Sequence, residues 1–265
     1  MSLLDESKGL QLALSELSTL SVNDVAAVWR SIYDQTGDAI AIRDALLSSF
    51  PDLLVPYEAA AAEITADFYD GLSPRSRFRA QPSDTSKVSA LESSVRWAMS
   101  PLFTPGSDTS PLSLLTGVAQ RSVFNASRRT MVANAEAEQG TTYARYASKT
   151  ACEFCRLLAT RGAVYASEHA ATRVAGRGKE VTTNFRPDGR KKRGGQAKGV
   201  RVRGNQKAGK SFHDNCKCLA VAVRPGQKYE PPSYVDQWEE QYIEASRAGG
   251  GTKAILSRMR EAEKA

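Results

Sequence analysis

The 265-residue sequence lacks several features that would point to common functional classes. It has no run of 18 consecutive apolar residues, which excludes a membrane-spanning helix by the usual length criterion. Its first eight residues contain Asp5 and Glu6 and no apolar segment, so we expect no secretory signal. The chain has only two histidines, His169 and His213, and no cysteine before Cys152. Catalysis by histidine therefore has few candidates, and we do not expect a disulfide-stapled secreted domain.

Positive charge is concentrated in one segment. Residues 173–210 contain 13 Lys and Arg against 2 Asp and Glu, a balance of 13 − 2 = +11, whereas the whole chain carries +7. The other 227 residues therefore sum to 7 − 11 = −4. The same segment holds 8 of the 19 glycines. Because glycine and repelling like charges cannot bury a core, we predict a mobile basic loop.

A loop of this composition can neutralise phosphates, which gives salt-dependent binding without sequence preference. Phe185 is its only aromatic residue, so base stacking on single strands is not expected. The alternative is a solvated charged loop or a site trimmed by a host protease. We favour contact with packaged double-stranded DNA through the basic residues Arg190, Lys191, Lys192, Arg193, Lys198, Arg201, Arg203, Lys207 and Lys210.

The N-terminal half is predicted to be helical. Ser21–Asp24 resembles a capping box that starts one helix, and a second is predicted from about Asp38 to Ser49. Pro51 fits the first turn of a third helix that ends at Gly71. After a loop at 73–84, further helices are predicted near 86–99 and, after a break at 101–106, from 111 to about 138.

The pattern changes after Gly140. Alternation and β-branched or aromatic content predict strands at 141–148, 163–166 and 218–223. One helix follows with an apolar face, and a charged helix at 252–265 lies behind a triple glycine; this last helix is either a docking peptide or a frayed end. The predicted fold class is mainly α with a small α+β zinc-binding domain. The predicted domains are a helical 1–139, an α+β 140–225 with 173–210 as a flexible insertion, and a helical tail 226–265.

All four cysteines and one histidine have spacings typical of a metal site. Cys152 and Cys155 form a CxxC pair, which brings two sulfurs to one ion at about 2.3 Å. His213 and Cys216 can bind the same ion, and on an extended chain Cys218 faces the same side as Cys216. These are five candidates for a site that takes four, and either Cys216 or Cys218 could be the spare. We predict structural Zn²⁺; buried or uncoordinated thiols and a redox-active CxxC are the alternatives.

Two stretches resemble the Mu F-like minor head proteins of tailed phages. Residues 143–165, which carry Thr150-Ala-Cys152-Glu-Phe-Cys155, are similar to that family's strand and (T/S)xCxxC knuckle. Phe212–Val223 resembles its closing H-P-x-C-R-C segment, with Asp214 in place of proline and a longer insert ahead of it. The helical N-terminal half is similar to head-morphogenesis proteins of phages that infect actinobacteria.

The resemblance implies a minor capsid protein inside the phage head near the portal, present in the host cytoplasm during assembly. Its partners would be the portal and capsid proteins and the packaged DNA, with no membrane and no small-molecule substrate. The protein would take part in head assembly or leave with the DNA, and we expect it not to be an enzyme.

Two enzymatic alternatives compete with this expectation. A capsid maturation protease would need a nucleophile and a base; if His213 binds zinc, only His169 is left, and no G-x-S-x-G motif is present. The run His213-Asp214-Asn215 resembles the HNH nuclease arrangement, but further histidines are missing. A catalytic zinc would also keep an open coordination position, whereas five candidate ligands favour a closed site.

Overall fold

A computed structural model describes residues 2–163, 178–181, 199–202 and 216–262, the two four-residue segments by their backbone alone. These residues form two compact units. The first contains Asp5–Asn134 and 216–219, and the second contains 2–4, 135–163, 178–181, 199–202 and 220–262. None of the described helices is both long and apolar enough to cross a membrane.

The first helix, α1 (Leu3–Gln35), is longer than the capping-box prediction allowed. Ser21 lies in its interior, where its hydroxyl donates to the carbonyl of Ser18 at 2.8 Å instead of capping a new helix. Serine in a helix can satisfy its hydroxyl in this way without ending the helix. The predicted start at Ser21 is therefore wrong, because one buried stripe runs at spacings of three and four through Ser7, Leu10, Leu14, Ser18, Ser21, Val25 and Trp29.

Helix α2 (Ala39–Gly71) joins the two helices that the sequence predicted on either side of Pro51. The carboxylate of Asp38 caps it by accepting from the backbone N–H of Ile40 at 2.9 Å. Pro51 removes one helical hydrogen bond at a cost of about 3 kcal/mol. Burial of Phe50 and Leu54 on either side of it contributes about 1.5–3 kcal/mol each, which offsets that cost. The predicted break at Pro51 is wrong for this reason, whereas the end at Gly71 is confirmed.

The remaining helices of the first unit follow the predictions closely. Helix α3 (Val88–Met99) continues into a short 3-10 turn at Ser100–Phe103, and α4 spans Pro111–Ala137. One apolar cluster of this unit contains Val25, Trp29, Ile42, Leu46, Phe50, Leu54, Leu91, Val95, Ala98, Met99, Leu115, Val118 and Ala119.

The loop between α2 and α3 is fastened along α4 by side-chain hydrogen bonds. The amide group of Asn134 accepts from Gln81 N at 2.8 Å and donates to Gln81 O at 2.8 Å, as a paired strand would. One turn earlier, Thr130 Oγ1 accepts from Ser83 N at 3.0 Å. These bonds satisfy backbone groups of a segment that belongs to neither of the sheets in the described residues.

The second unit combines a small sheet with short helices. Strand β1 (Thr142–Tyr146) is hydrogen-bonded to β4 (Leu219–Val223), which confirms two of the predicted strands. Both strands are almost wholly buried, so the alternation in the β1 sequence does not correspond to one buried and one exposed face. Helix α5 (Glu153–Ala159) follows β1, and α6 (Tyr234–Arg247) and α7 (Thr252–Ala262) end the described chain.

A second sheet lies within the basic segment that the sequence predicted to be a mobile loop. Strands β2 (Gly178–Val181) and β3 (Gly199–Val202) pair antiparallel, with Lys179 opposite Arg201. The predicted strand at 163–166 lies outside the described residues except for Ala163, which is in a bend.

The described ranges thus contain seven α-helices and two two-stranded sheets, and the protein is mainly helical with a small sheet. The predicted domain boundaries at 139 and 225 stay predictions, because compact units are not by themselves independently folding domains.

Candidate metal centre

The CxxC pair lies at the start of helix α5. Cys152 is the N-cap residue, with an extended backbone conformation, and is half-buried. Cys155 is in the first turn and is buried, with Leu157 and Leu158 on the helix beside it. Both cysteines are thiols rather than disulfide partners. The local structure around the CxxC pair is therefore the start of a helix.

The second pair of thiols lies on the segment that leads into β4. Cys216 and Cys218 are buried and Lys217 between them is exposed, which is the alternation of an extended chain. The side chains of Cys216 and Cys218 therefore share one side, as the sequence predicted.

Three consecutive carbonyl oxygens of this segment are held by side chains from α1 and α4. Arg128 donates from Nη2 to Cys216 O at 2.6 Å and from Nε to Cys218 O at 2.9 Å. Gln11 Nε2 donates to Lys217 O at 2.8 Å. The direction of each peptide group from 216 to 218 is thus fixed by a hydrogen bond.

The sulfur atoms of Cys155, Cys216 and Cys218 all lie within 4.8 Å of one another, and all three residues are buried. In a tetrahedral zinc site with bonds of about 2.3 Å, ligand sulfurs lie about 3.8 Å apart, so this cluster needs only a small contraction. Three close buried thiols are also the soft donor set that zinc prefers. Cys155, Cys216 and Cys218 could therefore hold a metal ion.

Cys216 and Cys218 both lie close to Cys155, so the structure does not single out either of them as the spare ligand. Cys152 is not in the described three-thiol group. His213, the fifth predicted ligand, lies outside the described residues, and so does His169. The predicted DNA-contacting residues also lie outside them, except Arg201, whose backbone is in β3.

Helix α5 is held in place by its own unit. The buried guanidinium of Arg156 donates from Nε to Ala151 O at 2.5 Å and lies 5.4 Å from the ring centre of Trp238 on α6. Glu153 forms an ion pair with Arg260 of α7, and this hydrogen-bonded carboxylate raises the pKa of Arg260. An apolar cluster also joins α5 to α6 and α7, and it contains Leu157, Tyr242, Ala245, Ile255 and Met259.

Sequence reasoning missed Arg128 and Gln11 as supports of the thiol-bearing segment. A signal for Arg128 does exist, because it lies four residues after Phe124 and three before Met131, both fully buried. A charged residue on a buried helical face needs compensating partners, which makes it a candidate component of a site. Gln11 offers no comparable signal, since polar residues on a helix surface are common.

The fold and the thiol cluster define a mainly helical protein with a candidate metal centre at its small sheet. The chain belongs to the VG15 protein family, whose model matches residues 2–245. This is a viral gene protein family, and membership indicates a phage protein. Neither the curated proteins nor the solved structures contain a match to this chain.

Proposed function

We propose that this protein is a minor capsid, or head morphogenesis, protein of a tailed bacteriophage, located inside the head near the portal. The observation that carries the proposal is the VG15 family match over residues 2–245, joined to a thiol cluster whose cysteines lie in the two stretches that resemble Mu F-like proteins. In this proposal the protein is structural and not catalytic. Its partners are the portal and capsid proteins and the packaged DNA.

This placement can be tested by analysing purified virions of the phage that encodes the protein. We expect the protein in purified particles at low copy number, and we expect it to resist external protease until the heads are opened. An amber mutation in its gene should leave host lysis intact and reduce the number of filled heads seen by electron microscopy. Absence of the protein from purified particles, with normal heads in the amber mutant, contradicts the proposal.

We further propose that the cluster binds structural Zn²⁺ through Cys155, Cys216 and Cys218 with His213 as the fourth ligand. His213 is three residues before Cys216, so the chain can bring both to one ion. Three thiolates, one neutral imidazole and Zn²⁺ carry a net charge of −1, which the buried Arg128 guanidinium balances. Four thiolates would leave an additional negative charge in the same buried place, which is costly.

The zinc content of the purified protein tests the metal. Protein prepared without chelator or affinity metal should contain about one zinc per chain, with the cluster thiols reacting only after unfolding or chelation. Zinc would supply folding energy here by binding three thiols that the unfolded chain does not hold together. An absence of zinc, with all four thiols reactive in the folded protein, contradicts the metal site and leaves the phage assignment to be judged on the virions.

We propose also that the basic segment 173–210 contacts packaged DNA through phosphates. The support is its charge of +11 and its single aromatic residue, which favour backbone contact over base stacking. The logarithm of the binding constant should fall steeply and linearly with the logarithm of the salt concentration. Binding should not depend on DNA sequence.

A deletion and a charge variant test the DNA contact. Removing 182–198, between the two strands, and separately changing Arg190, Lys191, Lys192 and Arg193 to serine, should each lower low-salt affinity for duplex DNA. The charge variant should also reduce the salt slope by about 0.9 for each phosphate that is no longer neutralised. Circular dichroism and zinc content serve as folding controls. Equal DNA retention by both variants contradicts the contact.

A further inference from the structure

We infer that Arg128 is a positioning residue of the metal centre, which sets the direction of both Cys216 and Cys218 and compensates their charge when they bind a metal. The inference rests on the proposed zinc site and assigns a role to a residue outside the ligand set. Arg128 lies on α4, is 4% exposed, and is 88 and 90 residues from the two cysteines whose carbonyl oxygens it binds.

The hydrogen bonds explain how one side chain can orient two ligands. In an extended chain, residues two apart present their carbonyl groups to one edge and their side chains to one face. Nε and Nη2 of Arg128 bind the carbonyl oxygens of Cys216 and Cys218 together, and the planar fork fixes their spacing. Gln11 binds the intervening carbonyl of Lys217. Rotation of either cysteine peptide would break a buried hydrogen bond.

The guanidinium is itself locked, which allows it to act as a template. Its Nη1 donates to Asn125 Oδ1 at 2.9 Å, one helical turn away on α4. Its central carbon lies 5.6 Å from the ring centre of Phe124. A cation over an aromatic ring and a side-chain hydrogen bond on the same helix both restrict the rotamer. The segment 216–218 is thus hydrogen-bonded to a side chain of α4 whose own rotamer is restricted.

Charge gives Arg128 a second role. Metal binding to three thiols releases their protons and leaves three thiolates beside a divalent ion, a net charge of −1. A permanent cation hydrogen-bonded to the ligand-bearing backbone lowers the cost of burying that charge. Lysine would keep the charge and lose the fork, whereas methionine would keep most of the volume and lose both. The two variants therefore separate charge from geometry.

The test compares full-length Arg128→Lys and Arg128→Met with wild type and with Arg96→Met. Arg96 belongs to the same unit but forms an exposed ion pair with Glu92, which makes it a matched control. Zinc affinity is measured by competition with a chromophoric chelator. The Co²⁺ form reports coordination through its visible thiolate bands. Outer partners of metal ligands typically contribute about 10–100-fold in affinity, so we expect a loss in that range for Arg128→Met and a smaller loss for Arg128→Lys.

The Co²⁺ spectrum distinguishes positioning from general stability. If Arg128 orients the ligands, both variants should show shifted or weakened thiolate bands while helical circular dichroism stays at the wild-type level. Unchanged affinity and unchanged bands in both variants overturn the inference. If Arg128→Met does not fold, Arg128→Lys alone decides between these outcomes. Failure of wild type to bind either ion would instead overturn the proposed zinc site.

Discussion

Arg224 binds Glu138 through two hydrogen bonds, from Nη2 to Oε1 at 2.7 Å and from Nε to Oε2 at 2.8 Å. The Arg224 side chain is 1% exposed and that of Glu138 is 12% exposed. Thr141 Oγ1 also donates to Oε2, at 3.0 Å. The pair connects the residue just after α4 with the residue just after β4. It thus holds the start of β1 beside the end of β4, at one end of the small sheet.

Removing one partner of this pair should destabilise the protein strongly. Arg224→Met leaves a nearly buried carboxylate without its cation, and breaking such pairs costs about 3–5 kcal/mol. The measurement is the free energy of urea unfolding. Arg96→Met, which breaks the exposed Arg96–Glu92 pair, should change it by less than about 1 kcal/mol. Equal effects of the two substitutions would show that the buried pair contributes no more than a surface one.

A second relationship between side chains predicts a pH dependence. The Tyr57 hydroxyl donates a short hydrogen bond to Asp24, and this bond raises the pKa of Tyr57 from 10.0 to about 12. The folded state therefore holds the phenolic proton more tightly than the unfolded state does. The resulting stabilisation is complete below pH 10 and is lost as the pH rises toward 12.

The variant Tyr57→Phe should remove this part of the alkaline loss of stability. The free energy of unfolding is measured from pH 8 to 12 for wild type, Tyr57→Phe and the control Tyr33→Phe, an exposed tyrosine of α1. We expect the difference between wild type and Tyr57→Phe to shrink above pH 10, and the Tyr33→Phe curve to parallel wild type. Parallel curves for all three proteins would mean that the Asp24 hydrogen bond does not favour the protonated phenol.

The helices could be predicted from the sequence wherever apolar spacing and a terminating residue agreed. α3, α4 and α6 are examples, and the predicted terminus at Gly71 is a further one. The predictions failed where a residue typical of a helix end lies within a longer buried face of the same helix. Ser21 and Pro51 each suggest a boundary, but both are buried on faces that continue for several turns on either side. At both positions the free energy gained by burying the helix face exceeds the unfavourable helix propensity of the residue.

The site was only partly predictable for a related reason. Cysteine spacing indicated which residue types could meet at a metal, and three of the five predicted ligands do lie close together. The identity of the residues that support them depends on which helix packs beside the segment 216–218. That packing joins Arg128 to Cys216 over 88 residues of sequence. No local pattern encodes a contact of that separation.

Single cysteine substitutions should reveal a difference within the CxxC pair. Cys155→Ser removes a member of the described cluster and should reduce bound zinc well below one per chain. Cys152→Ser should retain about one zinc, because Cys152 is not in the three-thiol group and His213 completes the proposed site. Zinc is measured by elemental analysis after gel filtration. Loss of zinc in Cys152→Ser, with His213→Ala unaffected, would make the fourth ligand Cys152.

The sequence of the C-terminal helix α7 suggested either a docking peptide or a frayed end. In the structure Ile255 and Met259 are buried against Leu157 of α5 and against Tyr242 and Ala245 of α6. Arg258 Nη1 donates to Ala245 O at 2.7 Å and to Gly249 O at 2.6 Å, where it satisfies carbonyls at the end of α6. The tail is thus part of the second unit.

Ile255→Ala should therefore lower the stability of the second unit. Truncating a buried isoleucine to alanine costs about 2–5 kcal/mol, because apolar packing is removed and a cavity is left. The exposed Ser257→Ala, two residues along the same helix, is the control and should change stability by less than about 0.5 kcal/mol. Urea unfolding gives the magnitude, and limited proteolysis near Gly249–Gly251 gives the location, since cleavage there should be faster in Ile255→Ala. If Ile255→Ala unfolds and is cleaved like wild type, α7 does not contribute to the folded unit and its apolar face is available to a partner.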